Sequence, residues 1–171
     1  MHFERRFTTS GQDAYANIEF RSATSEIRNP DGTIVFQAEN IEVPAQFSQV
    51  ATDILAQKYF RKAGVPAALK QIEETSIPSW LWRSEADPAA LAKLPEDQRY
   101  SGEMSAKQVF DRLAGTWTYW GWKGGYFNNE EDAQTYFDEM RYMLATQMAA
   151  PNSPQWFNTG MHWAYGIDGP S

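Results

Sequence analysis

The spacing of apolar residues predicts two long helices in the second half of the chain. Between residues 105 and 122, apolar positions recur three and four residues apart, as on one face of a helix. These positions are Val109, Phe110, Leu113, Ala114 and Trp117. A second set lies between residues 129 and 149, at Ala133, Tyr136, Phe137, Met140, Leu144 and Met148. Ser105 and Asn129 stand at the N-cap positions, and the short connection between the helices predicts an antiparallel pair.

A third apolar stripe predicts an earlier helix. Its members follow the same spacing, at Phe47, Val50, Ala51, Ile54, Leu55 and Tyr59. Gly64 and Pro66 end this helix. Residues 73–99 are rich in proline, serine and charge. This composition predicts an ordered surface linker with one short helix at residues 88–94.

The first forty residues are predicted to be extended. Ile18–Ala23 alternates in part between apolar and polar residues, and Thr33–Phe36 is β-branched and aromatic. Asn29–Gly32 (Asn-Pro-Asp-Gly) lies between them and is a strong turn sequence, because proline fixes φ and glycine accepts positive φ. The predicted fold class is therefore mainly α with a small N-terminal β-hairpin region.

Composition and charge narrow the classes of function. The chain has 171 residues, of which 42% are apolar and 15% aromatic, and this is typical of a globular domain. Its net charge of −7, with dispersed lysine and arginine, argues against binding of nucleic acid through phosphate neutralisation. No apolar run is long enough for a membrane span, and Met1–Arg6 is not followed by the apolar segment of a signal peptide. We therefore expect a cytoplasmic protein without a membrane partner.

Few residues could supply catalytic or metal-binding chemistry. The chain has no cysteine and two histidines, His2 and His162, so neither a protein-ligated metal nor thiol catalysis is predicted. Ser153, His162 and Asp168 could form a triad in principle. However, no nucleophile-elbow sequence surrounds the serine, and a hydrogen-bonded or exposed histidine is the favoured interpretation.

The tryptophan cluster Trp117, Trp120 and Trp122 could stack on a ligand. Because Trp117 and Trp120 have helical spacing, a place in the core or at a domain interface is favoured.

The segment Pro151–Asn158 has an unusual sequence for a connection. Pro151 and Pro154 fix two φ angles and remove two N–H donors. Ser153 precedes a proline and is therefore predicted to be extended, with its hydroxyl held in a defined direction. Such a rigid backbone suits a ligand site, although local physics alone favours an ordinary turn. The rest of the tail is predicted to be irregular.

Residues 151–160, Pro-Asn-Ser-Pro-Gln-Trp-Phe-Asn-Thr-Gly, resemble the P-N-S-P-x-x-x-N-x-G segment of adenosylcobalamin-dependent class II ribonucleotide reductases. Residues 45–64, residues 105–125 and the start, Phe3–Thr9, also resemble this family, in the same order. The resemblance implies that residues 1–150 form an N-terminal β-hairpin and helical domain. This helical layer would lead into the first strand of a ten-stranded α/β barrel, with residues 151–171 as the start of that truncated catalytic barrel.

The resemblance also implies residue roles. Ser153, assisted by the backbone of Asn152, would bind the substrate nucleotide near its phosphates or ribose. Asn158 would brace the start of the strand, whereas Trp156 and Phe157 would pack the barrel. No catalytic residue is expected in this chain, because the family's thiyl-radical cysteine and redox cysteine pair lie downstream.

The implied function is that of the N-terminal part of a ribonucleoside-diphosphate or -triphosphate reductase, which makes deoxyribonucleotides for DNA synthesis. The whole enzyme would use adenosylcobalamin, bound mostly outside this chain, and a thioredoxin-type reductant. This chain would need the remaining C-terminal polypeptide and would be inactive alone. The alternative is a free-standing helical interaction module that docks a partner through its tryptophan and tyrosine cluster.

Overall fold

The first two strands form an antiparallel hairpin. In a computed structural model that describes residues 1–169, β1 (Phe20–Arg28) pairs with β2 (Ile34–Pro44). The tight turn has Gly32 at a φ of 88°, and the Asp31 carboxylate accepts from the backbone N–H of Thr33 at 2.9 Å. The predicted hairpin is confirmed, and its second strand is longer than the sequence pattern indicated.

The predicted helix around residue 50 is confirmed, but it changes its winding. Helix α1 (Gln49–Ile54) begins at Ser48, whose hydroxyl accepts from the N–H of Ala51. The chain then continues as a π-helical turn over Leu55–Tyr59. A wider turn of this kind shifts the direction of the side chains that follow it, and it sets the position of Tyr59.

The region between the hairpin and the long helices contains short strands that the sequence pattern did not reveal. These strands are β3 (Val65–Pro66), β4 (Leu69–Gln71), β5 (Ser84–Ala86) and β6 (Tyr100–Ser101). The short helix predicted in this region is confirmed as α2 (Pro88–Leu91). Strand β3 pairs with β6, and β4 pairs with β5, both antiparallel. The fold is therefore mixed α and β, so the prediction of a mainly α chain with one hairpin is too narrow. Strands of two or three residues show no alternation, which is why the pattern missed them.

The two long helices are confirmed. Helix α3 (Ala106–Lys123) begins at Ser105 with a complete capping box, in which the Gln108 side chain reaches back to the backbone of Ser105. Helix α4 (Glu130–Ala145) begins at Asn129, whose side chain accepts from the N–H of Asp132. The two helices pack against each other.

The main core lies between the hairpin, α1, α3 and the end of α4. Fully buried members are Ile41, Val43, Val109, Phe110, Leu113 and Ala114. A smaller cluster, formed by Ile77, Leu81 and Tyr119, places the surface linker on the other side of α3. No helix within residues 1–169 is long and apolar enough to cross a membrane.

The chain after residue 151 is helical, contrary to prediction. Helix α5 spans Ser153–Asn158 and α6 spans Met161–Tyr165. The extended residue is Asn152, with φ −62° and ψ 152°, and Ser153 opens the helix with Pro154 beside it. Proline in the first turn of a helix loses no hydrogen bond, because N–H groups there have no partner within the helix. The predictions of an extended Ser153 and an irregular tail are thus wrong, and no strand occurs between residues 151 and 169 for Asn158 to brace.

Candidate functional site

Ser153 lies exposed at the start of α5, beside the end of the π-helical turn. Its Oγ is 3.0 Å from the phenolic oxygen of Tyr59. The π-helical turn and α5 are in contact, which brings together two residues far apart in the sequence. The hydroxyl thus has one fixed neighbour and remains open to solvent, as a ligand-binding serine requires.

Aromatic stacking fixes the Tyr59 side chain. Its ring is parallel to that of Trp156, with centroids 5.3 Å apart and an interplanar angle of 10°. Phe157 meets the same ring edge-on at 5.5 Å. The Trp156 indole N–H donates to the carbonyl of Pro151 at 2.7 Å. Each contact lies within or next to the Pro-Asn-Ser-Pro sequence, so the hydroxyl pair of Tyr59 and Ser153 sits on a packed aromatic support.

Asn152, the second expected substrate-binding residue, is exposed next to Ser153. Its backbone carbonyl accepts from the N–H of Gln155, but its side chain makes no capping bond. The amide therefore remains available to a ligand. Asn158 is also exposed, at the far end of α5.

A buried arginine holds α5 in place. Arg112, in the middle of α3, has no exposed surface. Its guanidinium donates to the carbonyls of Trp156 at 2.8 Å, Thr159 at 2.9 Å and Tyr59 at 3.1 Å. Two of these carbonyls belong to the C-terminal end of α5, where helix carbonyls lack internal partners. The Arg112 side chain thus joins α5 to the π-helical turn.

Glu103 balances the charge of Arg112. The carboxylate lies 2.9 Å from Arg112 Nε, and neither side chain is exposed. Glu103 also accepts from the backbone N–H of Arg61 at 2.8 Å and from the Tyr165 hydroxyl at 2.7 Å. Burial, and next the negative charge of Glu103, raise the pKa of Tyr165 far above its usual range. The phenol therefore remains a proton donor to Glu103 and ties α6 to the same network.

The glycine between the two C-terminal helices permits this approach. Gly160 has a φ of 89°, and a Cβ built on it would lie 2.1 Å from the backbone oxygen of Arg112. No larger residue fits there without moving α3 or α5.

The hypothetical triad residues do not form one unit. His162 Nδ1 pairs with Asp168 at 2.6 Å, and its Nε2 lies 2.8 Å from Arg83. Ser153 bonds to Tyr59 instead. No group of three or more histidine, aspartate or glutamate side chains within residues 1–169 is arranged to hold a metal.

The tryptophan cluster is divided among different environments. Trp117 packs against the main core, and the Trp122 indole donates to the carbonyl of Ser76 at 2.8 Å. Trp120 is 57% exposed. Of the two aromatic residues expected to pack the barrel, Phe157 is exposed, whereas Trp156 is half-buried.

Sequence reasoning missed Tyr59, Glu103 and Arg112. The signal for Arg112 was its position three residues after Val109, within the apolar stripe of α3. A charge on that face has to be paired when it is buried. Nothing in the local sequence identified its partner.

Comparison with known proteins connects this chain to a family. The model of a family described as class II vitamin B12-dependent ribonucleotide reductase matches residues 21–147. The chain is 71% identical over 170 residues to the vitamin B12-dependent ribonucleotide reductase of Bradyrhizobium diazoefficiens, and 70% identical to that of Agrobacterium fabrum. The corresponding protein of Rhodopirellula baltica is 28% identical over the same length.

The match covers nearly all of this chain and a small part of its relatives. It spans 99% of the chain, but 14% of the Bradyrhizobium protein and 13% of the other two. Because the family model covers most of the sequence and two relatives are at least 70% identical over 99% of the chain, the sequence resemblance is confirmed. The chain belongs to the family of class II vitamin B12-dependent ribonucleotide reductases.

Proposed function

We propose that this chain is the N-terminal part of an enzyme that converts ribonucleotides to deoxyribonucleotides for DNA synthesis. The single observation that supports it most is the 71% identity, over 170 residues, to a protein named as a vitamin B12-dependent ribonucleotide reductase. The alternative, a free-standing interaction module, is not favoured, since the similarity extends over 99% of the chain.

Within that enzyme, this chain contributes one wall of the substrate site. The Ser153 hydroxyl and the Asn152 amide are exposed side by side, and short polar groups on a rigid backbone can bind nucleotide phosphates or a ribose. Tyr59 orients Ser153 through the 3.0 Å contact between their oxygens. The radical chemistry belongs to the remaining polypeptide, because this chain has no cysteine.

Adenosylcobalamin would supply the radical to the whole enzyme. Two clefts within residues 1–169 have volumes of about 350 and 370 Å³, near the lower end of the range for drug-sized ligands. A corrin ring with its nucleotide tail is much larger than such ligands, so these residues do not fit it. The cofactor site is accordingly assigned to the remaining polypeptide.

The other partners and the domain boundary follow from the same proposal. A thioredoxin-type reductant would act on the remaining polypeptide, and the enzyme would work in the cytoplasm. Residues 1–150 would cover the outside of a ten-stranded barrel, and residues 151–171 would lead into it. The exposed ring of Phe157 would then pack against the barrel.

A chimeric enzyme tests this role. This chain would replace the matching N-terminal segment of the Bradyrhizobium reductase, and deoxynucleotide formation would be assayed with adenosylcobalamin and a dithiol. We expect an active chimera. Ser153→Ala should raise KM about tenfold, which corresponds to one lost hydrogen bond to a charged group.

Ser10→Ala is the matched control, because Ser10 is an exposed serine outside the Pro-Asn-Ser-Pro sequence. It should leave KM and kcat unchanged. An inactive chimera would contradict the proposed function. An active chimera in which Ser153→Ala behaves like Ser10→Ala would contradict only the role of Ser153.

A further inference from the structure

A cleft beside Tyr59 carries an unusual concentration of positive charge. It has a volume of about 350 Å³ and is lined by Lys58, Arg61 and Lys62, with the rings of Tyr59 and Phe157 among its walls. The π-helical turn supplies the lysine before Tyr59, and the chain leaving that turn supplies the other two cations. The irregular winding thus brings three cationic side chains to one opening.

Arg61 has an unfilled hydrogen-bonding position. Its Nε donates to the carbonyl of Ala63 at 3.0 Å, whereas its Nη1 is buried without a partner among residues 1–169. A buried N–H group without an acceptor costs free energy. Rotation of the guanidinium toward the cleft would let an oxygen atom of a ligand provide that acceptor.

The positive charge of the cleft is not balanced locally. Among the described residues, none of the three cations forms an ion pair with an acidic side chain, although the chain carries a net charge of −7. Glu103, which accepts from the backbone N–H of Arg61, is already paired with Arg112.

Lys62 is the most constrained of the three cations. Its ammonium group donates to the carbonyl of Ala56 and lies 4.7 Å from the centre of the Phe36 ring. Burial lowers its pKa. Lys58 and Arg61 are therefore the groups best placed to meet a ligand.

We propose that this cleft binds the phosphate groups of a small molecule. Arginine binds such oxyanions through its planar fork and lysine as a point charge. The volume accommodates two linked phosphates, and the Tyr59 and Phe157 rings leave an apolar wall for whatever the phosphates are attached to. The site does not depend on the proposed function, because the 171-residue chain contains all of its residues.

Inorganic pyrophosphate is the probe. Titration of the chain by calorimetry at low ionic strength should show binding that weakens as salt is added. Arg61→Gln should weaken the affinity about tenfold and Lys58→Gln about threefold, in keeping with the loss of charged hydrogen bonds. Lys93→Gln is the matched control: it removes the same charge from an exposed lysine elsewhere and should leave the affinity unchanged.

Two results would overturn the site. One is the absence of pyrophosphate binding at millimolar concentration. The other is an equal loss of affinity in Lys93→Gln and Arg61→Gln, since only the net charge would then matter. Thermal unfolding of each variant verifies that it is folded, and Arg61→Lys, which keeps the charge, should recover part of the affinity.

A ribonucleoside diphosphate distinguishes the sources of the phosphate. Suppose that the diphosphate binds more tightly than pyrophosphate, and that Ser153→Ala weakens binding of the diphosphate but not of pyrophosphate. The cleft then holds the phosphates of the proposed substrate. If both bind equally and Ser153→Ala changes neither, the cleft is a separate phosphate site. Both results support the cleft as a phosphate site, whatever the outcome of the chimeric enzyme.

Discussion

Negatively charged side chains of one long helix hold the N-terminal segment of the chain, whereas a positively charged side chain of the other long helix holds the C-terminal segment. In the N-terminal segment, residues 1–8, backbone N–H groups donate to two carboxylates of α4. Asp132 accepts from Phe3 at 2.9 Å, and Glu139, two helical turns later, accepts from Phe7 at 3.1 Å. Glu139 also accepts from the backbone of the preceding residue and from the hydroxyl of the following one.

In the C-terminal segment the backbone instead presents carbonyl groups. Arg112 of α3 donates to the carbonyls of Trp156 and Thr159, and Glu103 balances its charge. Backbone N–H groups of the N-terminal segment thus meet negative side chains, and backbone carbonyls of the C-terminal segment meet a positive one.

The two anchors differ in how much hydrogen bonding remains when one anchoring side chain is removed. Two separate carboxylates hold the N-terminal segment, and Glu139 is 9% exposed. Water can therefore replace part of the hydrogen bonding that is lost when one carboxylate is removed. The C-terminal segment depends on one ion pair with no exposed surface. A buried ion pair contributes little net stability but is costly to break on one side. The C-terminal anchor should therefore be the more sensitive of the two.

The largest expected effect is that of Arg112→Met. It leaves Glu103 buried without a cation and removes the donor from three carbonyls, so the free energy of unfolding should fall by about 4 kcal/mol. Urea denaturation followed by circular dichroism measures this loss. The total tryptophan fluorescence should also change, because the release of α5 would expose Trp156, one of the seven tryptophans.

The double variant Arg112→Met with Glu103→Gln sharpens this result. It removes the unpaired charge while the glutamine oxygen can still accept from the Arg61 N–H, so it should be more stable than Arg112→Met alone. A loss below about 1 kcal/mol in the single variant would be typical of an ordinary surface position and would contradict the buried anchor.

The helical pair could be predicted because its signals are local. Ser105 and Asn129 have short polar side chains next to free N–H groups, and the apolar stripe that follows each of them repeats for several turns. The turn at Asn29–Gly32 was recognised for the same reason, since its conformation follows from four adjacent residues. Such features need no knowledge of the rest of the chain.

The site could be predicted only in part because its geometry depends on distant residues. The resemblance drew attention to Ser153, which is exposed next to Tyr59, but local rules gave it an extended backbone. Pro154 removes an N–H group that the first turn of a helix does not use. Arg112 satisfies the carbonyls at the other end of α5, 44 residues away from Trp156 in the sequence. Local patterns contain no information about such a partner.

A smaller effect is expected for Glu139→Gln at the N-terminal anchor. The neutral amide has one acceptor oxygen in place of two and introduces donors next to backbone N–H groups. The free energy of unfolding should fall by about 2 kcal/mol, measured by urea denaturation. Glu131→Gln is the matched control on the same helix, because Glu131 is 62% exposed and its ion pair with Arg5 is 3.7 Å long. It should change stability by less than about 0.5 kcal/mol. Equal losses in the two variants would show that charge on α4, and not the backbone contacts, determines the effect.

The smallest expected effect is a selective loosening of the N-terminal segment in acid. The backbone N–H of Phe3 lowers the pKa of Asp132. Burial would raise the pKa of Glu139, but the N–H groups and the hydroxyl that it accepts from outweigh burial, and its pKa is lowered. A carboxylate whose pKa is lower in the folded state stabilises fully above its unfolded value, about 4 for these residues, and loses this contribution as pH falls through the folded value.

Amide hydrogen exchange, corrected for the intrinsic rate at each pH, should therefore show that Phe3 and Phe7 lose protection between pH 5 and pH 2.5. The amide of Leu113, in the middle of α3, should keep more of its protection, because no carboxylate accepts from it. In Glu139→Gln, Phe7 should already be poorly protected at pH 5 and should change little on acidification, whereas Phe3 should still respond through Asp132. If Phe7 responds to acid equally in the original chain and in the variant, titration of Glu139 does not hold the segment. Its attachment to α4 would then depend on packing, through contacts such as the stacking of Phe7 on Tyr142 at 5.0 Å.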